Sequence, residues 1–81
     1  MEPVTLDQLE VFRMIAETGS FSAAAAKLGR AQSAISYQIG NLEALLGLEL
    51  FDRSTRRPTL TEAGRSLLAD AARVGQEVGR L

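Results

Sequence analysis

An 81-residue chain with 46% apolar and 23% charged residues makes one small globular domain at most. It contains neither cysteine nor histidine, which excludes a disulfide framework, thiolate chemistry, and the commonest general base and metal ligand. The net charge of −1 conceals an asymmetry. Residues 1–26 set Arg13 against Glu2, Asp7, Glu10 and Glu17, whereas residues 27–65 carry six basic and four acidic side chains, with the basic ones densest from Arg53 to Arg57.

No apolar run is long enough to span a bilayer, and "MEPVTLDQLE" lacks the basic and apolar parts of a signal peptide. A soluble, cytoplasmic chain is therefore expected, with no membrane partner and no cofactor. In chain order, Thr5 and Gln8 fit a capping box. Leu6, Leu9, Phe12, Ile15 and Ala16 then give an apolar face, so a first helix is expected from about Leu6 to Thr18, ended by Gly19. Ser20 or Ser22 caps a short second helix whose four consecutive alanines allow close approach of a neighbour, and Gly29 stops it. The third helix follows, with an apolar face of Ile35, Ile39, Leu42 and Leu46, and stops at Gly47.

From Leu48 the period changes. "LELFDR" and "RPTL" flank the turn-like "STR", which predicts a two-stranded hairpin with Pro58 at an edge or in the turn. Thr61 and Glu62 open a fourth helix. Its apolar residues Ala63, Leu67, Ala71, Val74, Val78 and Leu81 recur at the three- and four-residue spacing of a coiled-coil seam. Ala63 and Leu67 are near enough to pack on their own domain; the later residues point to a second copy. The expected fold is mainly α: three helices and a two-stranded wing over residues 1–60, then a long linker helix over 61–81.

Function is concentrated in the second and third helices. Ala25, Gly29 four residues later and Ile35 six residues after that are the types a helix-turn-helix needs. These are a small residue where the helices cross, one that accepts positive φ in the turn, and an apolar anchor for the second helix. At 100° per residue, Ser33, Ser36, Tyr37 and Gly40 lie away from the apolar face. That side should carry Lys and Glu if it were merely solvated. Short hydroxyls, a ring and a glycine suit a helix whose backbone comes close to base edges in a major groove.

The segment "SFSAAAAKLGRAQSAISYQIGNLEALLGLELFDRSTRRPTLTEAG" resembles the N-terminal winged helix-turn-helix domain of LysR-type transcriptional regulators. The matching residues are Ser20-Phe21-Ser22, Ala24-Ala25, Leu28, Gln32, Ser36, Gln38-Ile39, Leu42-Glu43, Gly47, Leu50-Phe51-x-Arg53 and Leu60-Thr61-x-Ala63-Gly64. The resemblance implies a recognition helix at about 32–46, reading bases through Gln32, Ser33, Ser36 and Tyr37. A wing at 49–60 would lie on the minor groove and backbone. Ser22, Arg30, Gln38, Arg53, Arg56 and Arg57 would be the backbone or minor-groove contacts. The fourth helix would form a homodimer through Leu67, Ala71, Val74, Val78 and Leu81. It further implies an interrupted inverted-repeat operator in double-stranded DNA, and a C-terminal domain, beyond Leu81, that takes a small-molecule effector and supports higher oligomers. The chain departs from the family at Ala31, where a capping Ser or Thr is usual, so Ser33 is expected to cap the recognition helix. It departs again at Arg30, usually apolar, and at Tyr37 and Gly40, usually basic and larger polar residues.

Each of these residues also has a simpler reading. Ser33, Ser36 and Tyr37 would form an ordinary wet face, Arg53 would pair with Asp52 or Glu49, and Arg56 and Arg57 would only solubilise a turn. An enzyme is excluded by the lack of His, Cys, a phosphate-cradling glycine loop and paired carboxylates in an apolar setting. The remaining rival is a winged-helix module that binds protein through the same surface, and steep salt dependence separates DNA binding from it.

Overall fold

The computed structural model describes the backbone of residues 4–54 and 56–79, and side chains up to Arg73. Three helices come first: α1 (Leu6–Thr18), α2 (Phe21–Leu28) and α3 (Gln32–Leu46). A two-stranded antiparallel sheet follows, β1 (Phe51–Asp52) and β2 (Thr59–Leu60), with Phe51 opposite Leu60 and Asp52 opposite Thr59. The chain continues into α4 (Glu62–Gly79). The helix boundaries fall where the capping residues put them. The Gln8 N–H donates to Thr5 Oγ1 at 3.0 Å and the Thr5 N–H to Gln8 Oε1 at 2.9 Å, a complete capping box. Ser20 caps α2 by accepting from the Ala23 N–H at 3.1 Å, so Ser22 is left inside the helix and exposed.

α1, α2 and α3 pack against one another, and α4 returns to α1 and β2. The core comprises Val11, Phe12 and Ile15 of α1, Ala24 and Ala25 of α2, Ile35, Ile39 and Leu42 of α3, and Leu50 and Phe51. Phe51 packs between Phe12 and Phe21, with ring centroids 5.5 and 5.6 Å apart, and so fixes the base of the sheet to α1 and α2. Between α2 and α3, Gly29 takes φ 66°, and the Arg30 N–H returns to the Ala25 carbonyl at 3.0 Å. A non-glycine residue would strain this left-handed turn, which sets the angle of the helix-turn-helix.

The structure corrects two expectations about α3. Its N-cap is Ala31, which makes no side-chain hydrogen bond, and Ser33 lies one residue inside the helix without capping it. Leu46 is 37% exposed, because the last turn of α3 runs beyond the buried residues; Leu45 is the half-buried one there. In α4, Leu67 and Leu68 pack against the core of their own domain. Leu67 is thus largely committed within the chain, while Ala71 is half-buried. Val74 and Val78 lie outside the described side chains and Leu81 outside the described residues.

One close approach fixes where α4 starts. Thr61 donates its N–H to the Leu50 carbonyl at 3.0 Å and its hydroxyl to the Glu49 carbonyl at 2.6 Å, and accepts from the Gly64 N–H at 3.0 Å. A Cβ on Gly64 would stand 2.2 Å from the Leu50 carbonyl oxygen, a backbone atom that is itself held. Gly64→Ala should therefore destabilise the domain by about 1–3 kcal/mol, as overpacking does. A chemical denaturation midpoint equal to that of the unsubstituted chain would show that the junction yields.

Candidate nucleic-acid interface

Around α3, 100° per residue separates three surfaces. Ile35, Ile39 and Leu42 face the core. On one flank lie Gln32, Ser36 and Glu43, which face the wing; on the other lies Gln38, which faces α1. Between the flanks runs an exposed ridge that includes Ser33, Tyr37 and Gly40. Tyr37 is 72% exposed. Glu43 is the one charged residue of α3, so the ridge is uncharged throughout.

The wing-side flank opens onto a groove of about 540 Å³. Phe21 and Ser22 from the start of α2, Gln32 and Ser36 from α3, and Arg53, Arg56, Arg57 and Pro58 from the wing all line it. Six of the ten residues expected to touch DNA thus meet across one concave surface: Ser22, Gln32, Ser36, Arg53, Arg56 and Arg57. Ser33 and Tyr37 stand beside it on the exposed ridge. Arg30 and Gln38 are elsewhere, on the opposite flank.

Arg53 is held by two groups. Its guanidinium lies 5.0 Å from the centroid of Phe21, and its Nη2 is 3.3 Å from Glu43 Oε1. Its carboxylate partner is thus Glu43, neither Asp52 nor Glu49. Asp52 accepts instead from the Ser54 hydroxyl at 2.6 Å and the Ser54 N–H at 2.9 Å, and these bonds hold its carboxyl below the usual carboxylate range. Glu43 has a second task. Its Oε2 accepts the N–H of Leu50 at 2.7 Å and that of Phe51 at 3.4 Å, and its side chain is only 16% exposed. One carboxylate joins the end of the recognition helix to the wing backbone and to the wing's first arginine.

A second carboxylate works on the other flank. Asp7, in the first turn of α1, receives both terminal nitrogens of Arg30, at 2.7 and 3.0 Å, and Nε2 of Gln38 at 3.0 Å. The hydrogen bonding of Arg30, with its charge, keeps the Asp7 carboxyl below the usual range, and Asp7 in turn raises Arg30. Because the folded-state value of Asp7 is lowered, this contribution to stability is complete at neutral pH. It is lost as pH falls through the lowered value. The sequence hid both carboxylates for the same reason: the partners of Asp7 are 23 and 31 residues away, and those of Glu43 lie 7 to 10 residues on, past the end of α3. Glu43 left two traces, as the lone charge in a helix otherwise free of it and in the Leu42-Glu43 pair of the family pattern.

Among the described residues, no group of three or more His, Cys, Asp or Glu is arranged to hold a metal ion. No helix there is long and apolar enough to cross a membrane.

The architecture and the lined groove define a winged helix-turn-helix domain. The model of the bacterial regulatory helix-turn-helix proteins of the lysR family matches residues 6–65, and the chain belongs to that family. It is 50% identical over 72 residues to a probable RuBisCO transcriptional regulator of Gracilaria tenuistipitata var. liui, covering 89% of this chain and 23% of that protein. Among solved structures it is similar to the CbnR DNA-binding domain in complex with DNA (TM-score 0.86, 42% identity, 94% of this chain and 87% of that one). It is likewise similar to the BenM DNA-binding domain with benA site 1 DNA (TM-score 0.89, 36% identity, 94% and 85%). The chain spans only about a quarter of the length of the curated relatives it matches.

Replacing Glu43 separates its two tasks. Glu43→Ala leaves the buried Leu50 N–H without an acceptor and should cost about 1–3 kcal/mol of stability. Glu43→Gln keeps an acceptor oxygen and loses only the half-exposed ion pair, which should cost about 1 kcal/mol or less. Equal denaturation midpoints for the two variants would refute the backbone role.

Proposed function

We propose that this domain reads double-stranded DNA for a dimeric transcription regulator, with α3 in the major groove and the wing over the neighbouring minor groove and backbone. The observation that carries this reading is the groove that joins Ser22, Gln32 and Ser36 to Arg53, Arg56 and Arg57, beside an exposed and uncharged helix ridge. Hydroxyls and amides next to cations suit a duplex, whose base edges present donors and acceptors while its phosphates present charge. Gln32, Ser33, Ser36 and Tyr37 contact bases. Ser22, Arg53, Arg56 and Arg57 hold the backbone and the minor groove; Arg30 and Gln38 reach phosphate only by exchanging it for Asp7. Three arginines on the rim of a polar groove suit the regular negative charge of a phosphate backbone.

On this reading residues 1–60 are the DNA-reading unit and 61–81 the linker helix that pairs two copies, through Ala71, Val74, Val78 and Leu81 more than through Leu67. The operator is then an interrupted inverted repeat with half-sites about one helical turn, or a multiple of it, apart. The domain acts by binding and not by catalysis, in the cytoplasm. Any small-molecule effector belongs to a further domain, as expected for a chain that spans about a quarter of its relatives.

The test is selection from random duplexes at low and moderate salt. Retention of an inverted repeat that weakens steeply as salt rises is the expected result, since each phosphate contact releases counterions. Salt-insensitive retention, or none, would favour the protein-interaction module. Gly40 offers a sharper check of which face meets DNA. It is exposed in the interior of α3, and a Cβ there would meet nothing within 4 Å. Gly40→Ala should therefore stabilise the free domain by about 0.5–1 kcal/mol and at the same time weaken its binding to the selected duplex. A variant that is more stable and binds equally well would remove Gly40 from the groove wall.

A further inference from the structure

The cluster at Asp7 is built from groups that a phosphate would also use. Two parallel N–H···O bonds from one guanidinium to one carboxylate are the geometry in which arginine takes a phosphate. Here Asp7 occupies both terminal nitrogens of Arg30, and the amide nitrogen of Gln38 adds a third donor to Asp7 Oδ2. The three side chains come from α1, the inter-helix turn and α3, and they sit on the flank of the recognition helix opposite the arginine-lined groove. The pair is accessible: Asp7 is 44% and Arg30 38% exposed. A phosphate can therefore reach it, and an exposed ion pair is weak enough to open.

We infer that Asp7 acts as an intrachain stand-in for phosphate, which withholds Arg30 and Gln38 from the DNA backbone and so lowers affinity for duplexes of every sequence. The inference rests on the DNA-binding reading above. Its physical basis is the division between charge and base contacts. Binding without sequence preference comes almost wholly from neutralised phosphates, whereas discrimination comes from base edges. An arginine already paired with a carboxylate adds little to the first term, and the ridge that supplies the second is untouched. Asp7 thus lowers the charge-driven affinity for every duplex and leaves discrimination between sequences to the ridge.

The experiment measures affinity against salt concentration for the whole chain, on a selected duplex and on a scrambled one. The chains compared are the unsubstituted one, Asp7→Asn, Arg30→Gln, the double variant, and Glu17→Gln. The last removes the same charge from α1 at a residue paired with Arg13, 2.9 Å away. Asp7→Asn should bind the scrambled duplex about three- to tenfold more tightly at low salt, with a salt slope steeper by about one. That gain should vanish in the double variant, and Glu17→Gln should show none of it. Thermal melts establish that each variant is folded, and Arg30→Gln, which changes the same pair from its other side, should leave the slope nearly unchanged.

If Asp7→Asn binds more weakly, Asp7 positions Arg30 for DNA and the proposal is overturned. Equal effects of Asp7→Asn and Glu17→Gln would reduce it to net charge, which also overturns it. If the unsubstituted chain shows no salt-dependent binding to either duplex, the DNA-binding reading itself falls and takes the proposal with it. That outcome is distinct from the other two.

Discussion

The geometry of this domain depends on the main chain of Leu50 being held from both sides. Its N–H is taken by the carboxylate of Glu43, near the end of the recognition helix, and its carbonyl accepts the N–H of Thr61, at the start of α4. Its side chain is fully buried in the core. A two-residue strand pair has almost no stability of its own. The wing keeps its place because the residue before it is fixed to α3, to α4 and to the core at once. The closeness of Gly64 to the same carbonyl completes the joint, since any larger residue would push α4 away from it. The position of the arginines over the groove follows from backbone hydrogen bonds more than from their own ion pairs.

The two carboxylates beside the recognition helix explain how an acidic chain can present a surface suited to DNA. Glu43 and Asp7 each take up one arginine, at opposite flanks of α3, and each also ties α3 to another element. They differ in depth. Glu43 is mostly covered and bonds two backbone N–H groups, so the wing is built on it; Asp7 is half exposed and bonds only side chains, so its partners are exchangeable. On α1, Glu10 and Glu17 share the one guanidinium of Arg13 at three- and four-residue spacing, an exposed arrangement of little energetic consequence. Several of the acidic side chains are thus taken up in local pairs away from the groove, and the net charge of −1 says little about the groove.

The elements were legible in the sequence because their signals are local. The capping box at Thr5, Ser20 at the head of α2, and the glycines after α1, α2 and α3 each act within a few residues, and each boundary lies where its cap puts it. The apolar period of α3 placed Ile35, Ile39 and Leu42 in the core correctly. It failed at Leu46, because periodicity does not show where neighbouring helices end. The cap expected from Ser33 failed for a related reason. α3 begins at Gln32 with an uncapped Ala31, since the geometry of the Gly29 turn sets the start of the helix and no side chain is needed to mark it. Which flank of α3 faces the wing, and which faces α1, was beyond the reach of spacing altogether. That depends on contacts between residues up to 31 positions apart; spacing alone puts Ser36 and Gln38 about 200° apart on the helix, but not which of them meets the wing and which meets α1.

That division of α3 gives the helix more structure than a polar face opposed to an apolar one. Its two flanks are engaged, through Glu43 with the wing and through Gln38 with α1, while the ridge between them is exposed. A side chain on the ridge is free of intrachain duties, so changes at Ser33 or Tyr37 alter the exposed surface without disturbing how the domain is held. A change at Glu43 alters the wing, and one at Gln38 or Asp7 alters the pairing of Arg30. The helix therefore separates three properties that a simple amphipathic helix would combine: which side chains it exposes, where the wing stands, and how Arg30 is paired.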